Sequence, residues 1–225
     1  MERYVRNQNM LSKEENESLR AFKVAVVGCG GLGGYIIEML ARLGIGHITM
    51  VDGDVFEASN LNRQLLSSPD NMGKPKTSVA RERVNAINPD VKAVAIQELL
   101  TEENAEKILS GHDVVCDALD NLKTRRLIEK YCEKLDIPMV LGAIAGWYAQ
   151  VCTILPGDRT IEKLFPAELE KGAETYFGNP SFTPALAASI QVAEVLKILL
   201  KRGNLLQNKI LAIDLLEQTY QVVDL

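Results

Sequence analysis

The chain has 225 residues and a formal net charge of −5, and 47% of its residues are hydrophobic and 24% charged. This length and composition fit one folded domain, and the acidic balance gives no electrostatic footprint for general nucleic-acid binding. No apolar run reaches the roughly 18 residues of a membrane span, and the N-terminus lacks the apolar stretch of a secretory signal. We therefore expect a cytoplasmic protein that has no membrane association and is unlikely to bind nucleic acid.

The N-terminal part of the chain carries one capping signal and one strand pattern. Ser12 and Glu15 have the Ser-x-x-Glu spacing of a capping box, which predicts a short helix that runs to about Arg20. Residues 22–27 are apolar and β-branched, the pattern of a buried parallel strand, and they lead directly into a glycine-rich stretch. Apolar residues then recur at helical spacing from Leu32 until Gly44, where a C-cap glycine belongs.

The central part of the chain alternates strands with helices. A strand over 48–52 ends in Asp52, and a polar loop that includes residues 60–64 follows it. Further strands are predicted over 91–96, 113–117 and 139–142, and helices over 75–87, over 101–109 with Thr101 as N-cap, and from Asn121 to 135. This alternation predicts a Rossmann-like, doubly wound α/β sheet that is mainly parallel.

The pattern changes after residue 146. A strand is predicted over 149–155, and residues 156–180 combine prolines, glycines and charges without periodicity, which indicates a long, functional loop. Thr183-Pro184 is predicted to start a helix with proline at its first position. Its apolar face consists of Leu186, Ile190, Ala193, Leu196 and Leu200. Two strands over 210–215 and 220–223, predicted to be antiparallel, close the chain.

The glycine-rich stretch has the spacing Gly28-x-Gly30-Gly31-x-Gly33. The first glycine allows a tight turn after the strand, Gly30 lets the backbone approach a phosphate, and Gly33 allows close packing of helix on sheet. The helix N-terminus supplies a phosphate site, and Asp52 at the end of the next strand is placed to accept a ribose hydroxyl. We therefore predict one domain with an N-terminal arm and helix (1–21), a nucleotide-binding core (22–145) and a C-terminal part (146–225).

The glycine turn does not decide which nucleotide binds, because an NAD-dependent oxidoreductase has the same strand, turn, helix and acid. Adenylation differs from hydride transfer in needing cations that neutralise a triphosphate and its pyrophosphate leaving group. Three downstream residues, Arg63, Lys76 and Asp120, follow predicted strands or begin a helix at the carboxyl edge of the sheet, where open α/β folds bind ligands. These residues favour ATP.

Five ordered motifs resemble the ThiF/MoeB/HesA family of adenylating enzymes, the bacterial relatives of ubiquitin-activating enzymes. They are the glycine turn, Asp52-Gly53-Asp54, residues 59–64 (Ser-Asn-Leu-Asn-Arg-Gln), residues 73–76 (Gly-Lys-Pro-Lys) and residues 117–121 (Asp-Ala-Leu-Asp-Asn). The resemblance runs from Arg3 to about Ala145 and continues more loosely to the C-terminus. It implies the same fold and ATP as the nucleotide.

The resemblance also implies residue roles. Gly31 and Asp52 would contact the nucleotide, with Asn60, Arg63 and Gln64 at the phosphates. Lys76 would contact the phosphates and the leaving group, and Asp120, with Asn121 beside it, would hold Mg²⁺. A carboxylate there suits Mg²⁺, which bridges substrate phosphates and keeps several waters. Arg6 matches an arginine that reaches the ATP of the neighbouring subunit in the family, so a homodimer is implied.

The implied reaction joins the C-terminal glycine carboxylate of a small ubiquitin-like sulfur-carrier protein, ending in Gly-Gly, to the α-phosphorus of MgATP. The carrier's tail would run beneath the 156–180 loop, along a floor of small residues at 142–146. Two CxxC pairs that hold zinc in many relatives are missing, so we expect no zinc. The chain has four cysteines, Cys29, Cys116, Cys132 and Cys152, and no catalytic role is expected for any of them.

Three other functions share part of this pattern. An NAD-dependent oxidoreductase would keep the glycines and Asp52 but leave Arg63, Lys76 and Asp120 without a role. A dehydratase that adenylates and cyclises a modified tRNA adenosine, threonylcarbamoyladenosine, shares the ATP motifs but calls for a basic RNA surface. A non-catalytic scaffold that binds a ubiquitin-like protein would not need the charged residues Arg63, Lys76 and Asp120. The sequence does not name the carrier or its pathway, whether thiamin, molybdopterin, cysteine or another.

Overall fold

The computed structural model describes residues 2–165 and 174–225, apart from the side chains of Glu174 and Thr175. The strands are β1 Lys23–Val27, β2 His47–Val51, β3 Lys92–Ile96, β4 Val114–Asp117, β5 Met139–Ala145, β6 Tyr148–Ile154, β7 Lys209–Asp214 and β8 Thr219–Asp224. The helices are α1 Lys13–Ser18, α2 Gly31–Leu43, α3 Lys76–Ile87, α4 Ala105–Leu109, α5 Leu122–Leu135, α6 Thr160–Leu164, α7 Glu174–Phe177 and α8 Phe182–Leu200.

All eight strands form one sheet in the order β3-β2-β1-β4-β5-β6-β7-β8. The first five strands are parallel, and β6, β7 and β8 are each antiparallel to their neighbours. Strand order reverses between β1 and β4, which makes their carboxyl ends the switch point where open α/β sheets bind ligands. The predicted fold class, mainly parallel with antiparallel C-terminal strands, is confirmed.

Two apolar clusters cover the two faces of the sheet. One packs α2, α3 and α8 against the sheet, and the other packs α4, α5 and α6 against the opposite face. The 19-residue helix α8 is long and apolar enough to cross a membrane by length and composition, which the sequence analysis did not anticipate. Half of the apolar stretch of α8 is buried inside the fold, however, where the helix contacts α2, β5 and β6. This is how a core helix of a globular fold packs.

Several local signals in the sequence are confirmed. Ser12 and Glu15 form the capping box at the start of α1. Gly44 ends α2 with φ of 86°, the left-handed conformation that favours glycine. The helix predicted from Asn121 is present as α5, and the structure shows that the Asn121 side chain also caps it by accepting a hydrogen bond from the Thr124 amide. Side-chain caps act over three or four residues, so the sequence alone is enough to predict them.

Some predicted boundaries are wrong. The helix predicted from Thr101 begins only at Ala105, because the Asn104 side chain accepts a hydrogen bond from the Thr101 amide and closes a turn first. Pro184 is the third residue of α8 and not the first, since any first-turn position tolerates a missing amide hydrogen. The segment predicted as a loop over 156–180 contains α6 and α7, and its residues 166–173 lie outside the described part of the chain.

The chain's two histidines, His47 and His112, meet at the amino edge of the sheet through the Thr49 hydroxyl. The His112 Nδ1 faces the Leu109 carbonyl at 3.0 Å, so its Nε2 accepts from Thr49 at 2.8 Å. This assignment follows from the bonding pattern. Burial lowers the pKa of both rings, and for His47 the nearby Lys92 adds to the effect. Protonation at His112 Nε2 would break this network.

We therefore expect the protein to lose stability as the pH falls through the ordinary histidine pKa of about 6.5. A lowered pKa in the folded state means that the unfolded chain binds more protons below that value, so the stabilisation is complete above about pH 6.5 and is lost below it. Melting temperatures from pH 8 to pH 5.5 should fall by a few degrees for the wild type. A His112→Gln variant should show a flatter profile, and equal slopes for the two proteins would contradict the account.

Candidate functional site

A cleft of about 1170 Å³ opens at the carboxyl edge of the sheet, over the switch point. Its walls come from the glycine turn, the ends of β2 and β4, the start of α5, the tip of β5 and β6, and the start of α8. Of the residues that the sequence analysis selected, the lining includes Gly28, Gly30, Gly31, Asp52, Arg63, Gln64, Lys76, Asp120 and Asn121. This volume is ample for a nucleotide together with a second substrate.

The glycine turn shapes the floor of the cleft. Gly28 has φ of 98°, and a Cβ atom there would lie 2.6 Å from the Ala118 carbonyl oxygen. A Cβ on Gly33 would lie 1.8 Å from the Gly28 carbonyl oxygen, so Gly33 permits close packing of α2 on the turn without lining the cleft. Beside Gly30 and Gly31 a Cβ would meet only ordinary contacts, and both residues line the cleft at the N-terminus of α2, where helix amides suit phosphate binding.

A charged cluster lies directly after β2. The Asp52 carboxylate accepts hydrogen bonds from the amides of Cys29 at 2.7 Å and Asp54 at 2.8 Å. The buried Lys76 ammonium lies 3.0 Å from the Asp54 carboxylate. Burial raises the pKa of Asp52, and the nearby Lys76 charge opposes that rise. The cluster therefore holds a positive charge beside two acids that line the cleft.

The loop that follows β2 contributes Arg63 and Gln64 but not Asn60. Arg63 donates hydrogen bonds to the Ser59 carbonyl and the Asn62 side chain, and its aliphatic part lies beside Gly31. Buried Gln64 packs against Gly30, and its side-chain oxygen has no partner among the described residues. Asn60 is buried away from the cleft, where its side-chain oxygen accepts from the Glu57 amide. Its position therefore suits support of the loop.

Asp120 is exposed at the end of β4, one residue before the cap of α5. It lines the same cleft as Lys76 and Arg63. Among the described residues, no three histidine, cysteine, aspartate or glutamate side chains converge on one point. A single carboxylate in an open cleft fits Mg²⁺, which proteins hold through one or two carboxylates, substrate phosphates and waters.

Arg6 lies far from the cleft of its own chain. It is exposed on a 3-10 turn, Glu2–Asn7, whose buried Tyr4 packs against Gly44 and accepts a hydrogen bond from Asn88. Both contacts are at the C-terminal ends of α2 and α3, which lie at the amino edge of the sheet. Within one chain the structure does not bring Arg6 to the other predicted residues.

Sequence reasoning missed much of the cleft's basic wall. One face of α5 brings Lys123, Arg126 and Lys130 to the lining, which also includes the buried Arg125. Helical spacing of the cations along 121–135 was the available signal. The role of Arg125 could not be recognised in this way, because its partners Asp117 and Gly142 lie on two strands, β4 and β5, that only the fold brings to α5.

The wall formed by β5 and β6 is narrow and uncharged. Ala143, Ile144 and Ala145 line the cleft, whereas the sequence analysis expected a floor that included Gly142 and Gly146. Residues 143–145 continue β5 past its predicted end at Gly142, and Gly146 makes the turn into β6. Tyr148 and Phe177 close this end with ring centroids 5.8 Å apart. The wall can accept an extended, small-residue segment.

All four cysteines are buried and none forms a disulfide. Burial raises the pKa of every thiol, to about 12 for Cys132 and Cys152 and well above the usual value for Cys29 and Cys116. Cys29 is closest to the cleft, and the neighbouring Asp52 carboxylate raises its pKa further. Thiolates are the reactive form, so these side chains suit packing and not nucleophilic attack.

A family model described as the ThiF family matches residues 3–225. The SAMP-activating enzyme E1 of Haloferax volcanii is 35% identical over 99% of this chain and 84% of its own length. The sulfur carrier protein adenylyltransferase of Thermus thermophilus is 36% identical over 98% of this chain and 86% of its own. A crystal structure of E. coli MccB with AMPCPP and MccA has a TM-score of 0.84 and 26% identity, covering 99% of this chain and 71% of that one.

Proposed function

The chain belongs to the ThiF family, and from this premise we propose that it is an ATP-dependent adenylyltransferase that activates the C-terminal carboxylate of a small ubiquitin-like sulfur-carrier protein. The observation that carries the proposal is one cleft in which a glycine turn, Asp52, Lys76, Arg63 and Asp120 meet beside a narrow, uncharged wall. A nucleotide site and a peptide-sized groove thus share one volume.

In the proposed reaction a carboxylate oxygen of the carrier attacks the α-phosphorus of ATP. A bond forms between that oxygen and the α-phosphorus, the bond from the α-phosphorus to the bridging oxygen of the β-phosphate breaks, and pyrophosphate leaves. The carboxylate is already an anion at neutral pH, so the step needs no general base. Catalysis then consists of alignment and neutralisation of phosphate charge.

Each cleft residue has a role that follows from its position. The open amides at the start of α2 would bind phosphate oxygens, and Asp52 would accept a ribose hydroxyl. Lys76 and Arg63 would neutralise charge on the phosphates and on the departing pyrophosphate. Asp120 would hold Mg²⁺, which when bound neutralises the triphosphate and favours departure of pyrophosphate.

The proposal extends to a Gly-Gly ending for the carrier and to a homodimer. Ala143 and Ala145 line the cleft, and the Tyr148–Phe177 pair closes the wall next to Ala145, an arrangement that favours a tail whose last residues have no bulky side chains. Arg6 lies too far from its own cleft to reach ATP, so an active role for it requires a second copy of the chain. The proposed role is stabilisation of phosphate charge in the partner's cleft.

The carrier's folded body would dock on β8, whose exposed apolar residues lie next to the mouth of the cleft. Tyr220 on β8 is paired with Ile213, which is paired with the cleft residue Ala149. Adjacent strands are about 4.8 Å apart, so Tyr220 lies about 10 Å from that wall. Tyr220, Val222, Val223 and Leu225 are all exposed on this edge. An exposed apolar edge beside a peptide groove favours a protein partner.

A Tyr220→Glu variant should raise the KM for the carrier about tenfold while the KM for ATP stays unchanged, because only the docking surface is altered. Gln221→Glu adds the same charge on the other face of β8 and serves as the matched control. Steady-state kinetics with each substrate varied in turn would measure both constants. An unchanged carrier KM, or a change of oligomeric state in sedimentation, would assign β8 another role.

The test of the proposed function is ATP–pyrophosphate exchange in the presence of candidate carrier proteins that end in Gly-Gly. Exchange should depend on the carrier and vanish when its terminal glycine is removed. Parallel titrations with ATP and NADH separate adenylation from hydride transfer, since only ATP should bind. Exchange stimulated by tRNA and not by any carrier would favour the dehydratase, and ATP binding without exchange would favour a scaffold.

A further inference from the structure

We propose that Arg125 is a positioning residue of the adenylation site, holding the loop that carries Asp120 and the β5 wall of the cleft in one fixed geometry. The proposal rests on the function proposed above. It assigns a role to a buried arginine that sequence reasoning did not select. The role is alignment of the two halves of the cleft, which bind the nucleotide and the carrier's tail.

Three contacts of the Arg125 guanidinium support this role. It donates to the Leu119 carbonyl, the last peptide group before Asp120, and at 2.9 Å to the Gly142 carbonyl. Its Nε lies 3.1 Å from the Asp117 carboxylate, close enough for an ion pair although not aligned as a hydrogen bond. One side chain therefore joins the end of β4, the Asp120 loop and β5.

The site of these contacts explains why a support is needed there. β4 pairs with β5 only as far as Asp117 opposite Leu141, so Gly142 is the first residue of β5 beyond the end of the ladder. The next three residues of β5 line the cleft, and Asp120, which follows β4, lines it as well. Without the ladder, the separation of the two walls depends on side chains.

Gln191 of α8 reinforces the same junction from the opposite side of the sheet. Its fully buried amide donates to the Asp117 carbonyl at 2.8 Å and to the Val140 carbonyl at 3.1 Å. A Cβ on Gly142 would lie 2.3 Å from the Gln191 side-chain oxygen, so only glycine permits this approach. Arg125 and Gln191 thus fix β4 to β5 on both faces.

A buried guanidinium is a poor choice if stability alone is at stake. Taking Arg125 and Asp117 out of water carries a desolvation cost that often equals or exceeds their attraction, and apolar replacements of such pairs can be neutral or stabilising. A guanidinium offers several donors in a rigid, planar fork, which an ammonium does not. The arrangement therefore suits precise placement of two carbonyl-bearing segments.

The test compares Arg125→Lys, which keeps the charge and loses the fork, with the wild type. The variant should lower kcat for exchange about a hundredfold with little change in the KM for ATP, because misplacement by about 1 Å costs that much. The Mg²⁺ concentration for half-maximal ATP binding, measured without carrier, should rise about tenfold because the Asp120 loop is loosened. A purely structural role would lower the melting temperature and leave this midpoint unchanged.

Two further variants keep the test decisive. Asp117→Asn is isosteric and removes the negative charge beside Arg125, while its side-chain oxygen can still accept from the Leu119 amide. It should shift the Mg²⁺ midpoint in the same direction by less, which covers the case in which Arg125→Lys does not fold. Thr153→Val loses a buried hydrogen bond to Glu194 outside the cleft lining and should lower stability without moving kcat or the midpoint.

Wild-type values of kcat and of the Mg²⁺ midpoint in folded Arg125→Lys, or in Asp117→Asn if only that variant folds, would overturn the proposal. Equal losses in Thr153→Val would overturn it as well. A wild-type protein that binds ATP but gives no exchange with any carrier would contradict the proposed function and leave the Mg²⁺ comparison valid. Absence of ATP binding would overturn both.

Discussion

Replacing Lys76 with methionine should reduce ATP–pyrophosphate exchange about a thousandfold. Two unit charges 4 Å apart interact by about 4 kcal/mol at an effective dielectric constant of about 20, and each 1.36 kcal/mol corresponds to about a tenfold change in rate. Lys76 is buried at the cleft wall, so its charge is little screened by solvent. Methionine keeps the length and apolar packing of the side chain and removes the ammonium group.

Lys74→Met is the matched control for this change. Lys74 is two residues away, exposed and outside the cleft lining, so its loss should leave exchange unchanged. Burial already raises the pKa of Asp52, and removal of the Lys76 charge should raise that pKa further. The acid limb of the plot of exchange rate against pH should therefore shift to higher pH. Equal activity in the two methionine variants would remove Lys76 from the proposed mechanism.

The second large effect concerns the paired variants Asp120→Ala and Arg6→Ala. Each alone should lose exchange by at least a hundredfold, because each removes a charge that the phosphates require. Mixed in equal amounts under conditions that allow subunit exchange, they should recover about a quarter of wild-type activity. Half of the dimers would be mixed, and each mixed dimer would contain one complete cleft with its own Asp120 and the partner's Arg6.

This recovery separates a role in the partner's cleft from a role in the chain's own cleft. Arg6 is held at the amino edge of the sheet through buried Tyr4, so the structure gives it no path to its own cleft. If Arg6 is only an exposed arm residue, Arg6→Ala should be fully active by itself. If the variants stay inactive after mixing and subunit exchange is verified by mass spectrometry, the proposed homodimeric site is wrong.

The parts of the fold that the sequence predicts well depend on short-range patterns. The turn from Gly28 to Gly33 is set by backbone sterics within six residues, and a Cβ on Gly33 would collide with the Gly28 carbonyl. Asp52 and Asp120 are found because the carboxyl ends of parallel strands meet at one edge of the sheet. The capping role of Ser12 follows from a side chain that bonds three residues onward.

The parts that the sequence does not predict depend on contacts between distant segments. Arg125 is one of several cations on α5, and only the fold brings it to Gly142, 17 residues away. Gln191 is 74 residues from Asp117, and helical periodicity predicts only that it lies on α8. Asn60 belongs to a family motif, yet its amide is used inside its own loop, which no spacing rule reveals.

The most direct test of the central claim is the mass of the carrier protein after reaction. The chain, MgATP and a Gly-Gly carrier are mixed, quenched rapidly in acid and analysed by intact-mass spectrometry alongside a pyrophosphate assay. The account predicts a carrier heavier by one AMP group, with one pyrophosphate released per adenylate and no product in the Lys76→Met protein. A carrier of unchanged mass, with ATP converted to ADP and phosphate or left intact, would contradict it.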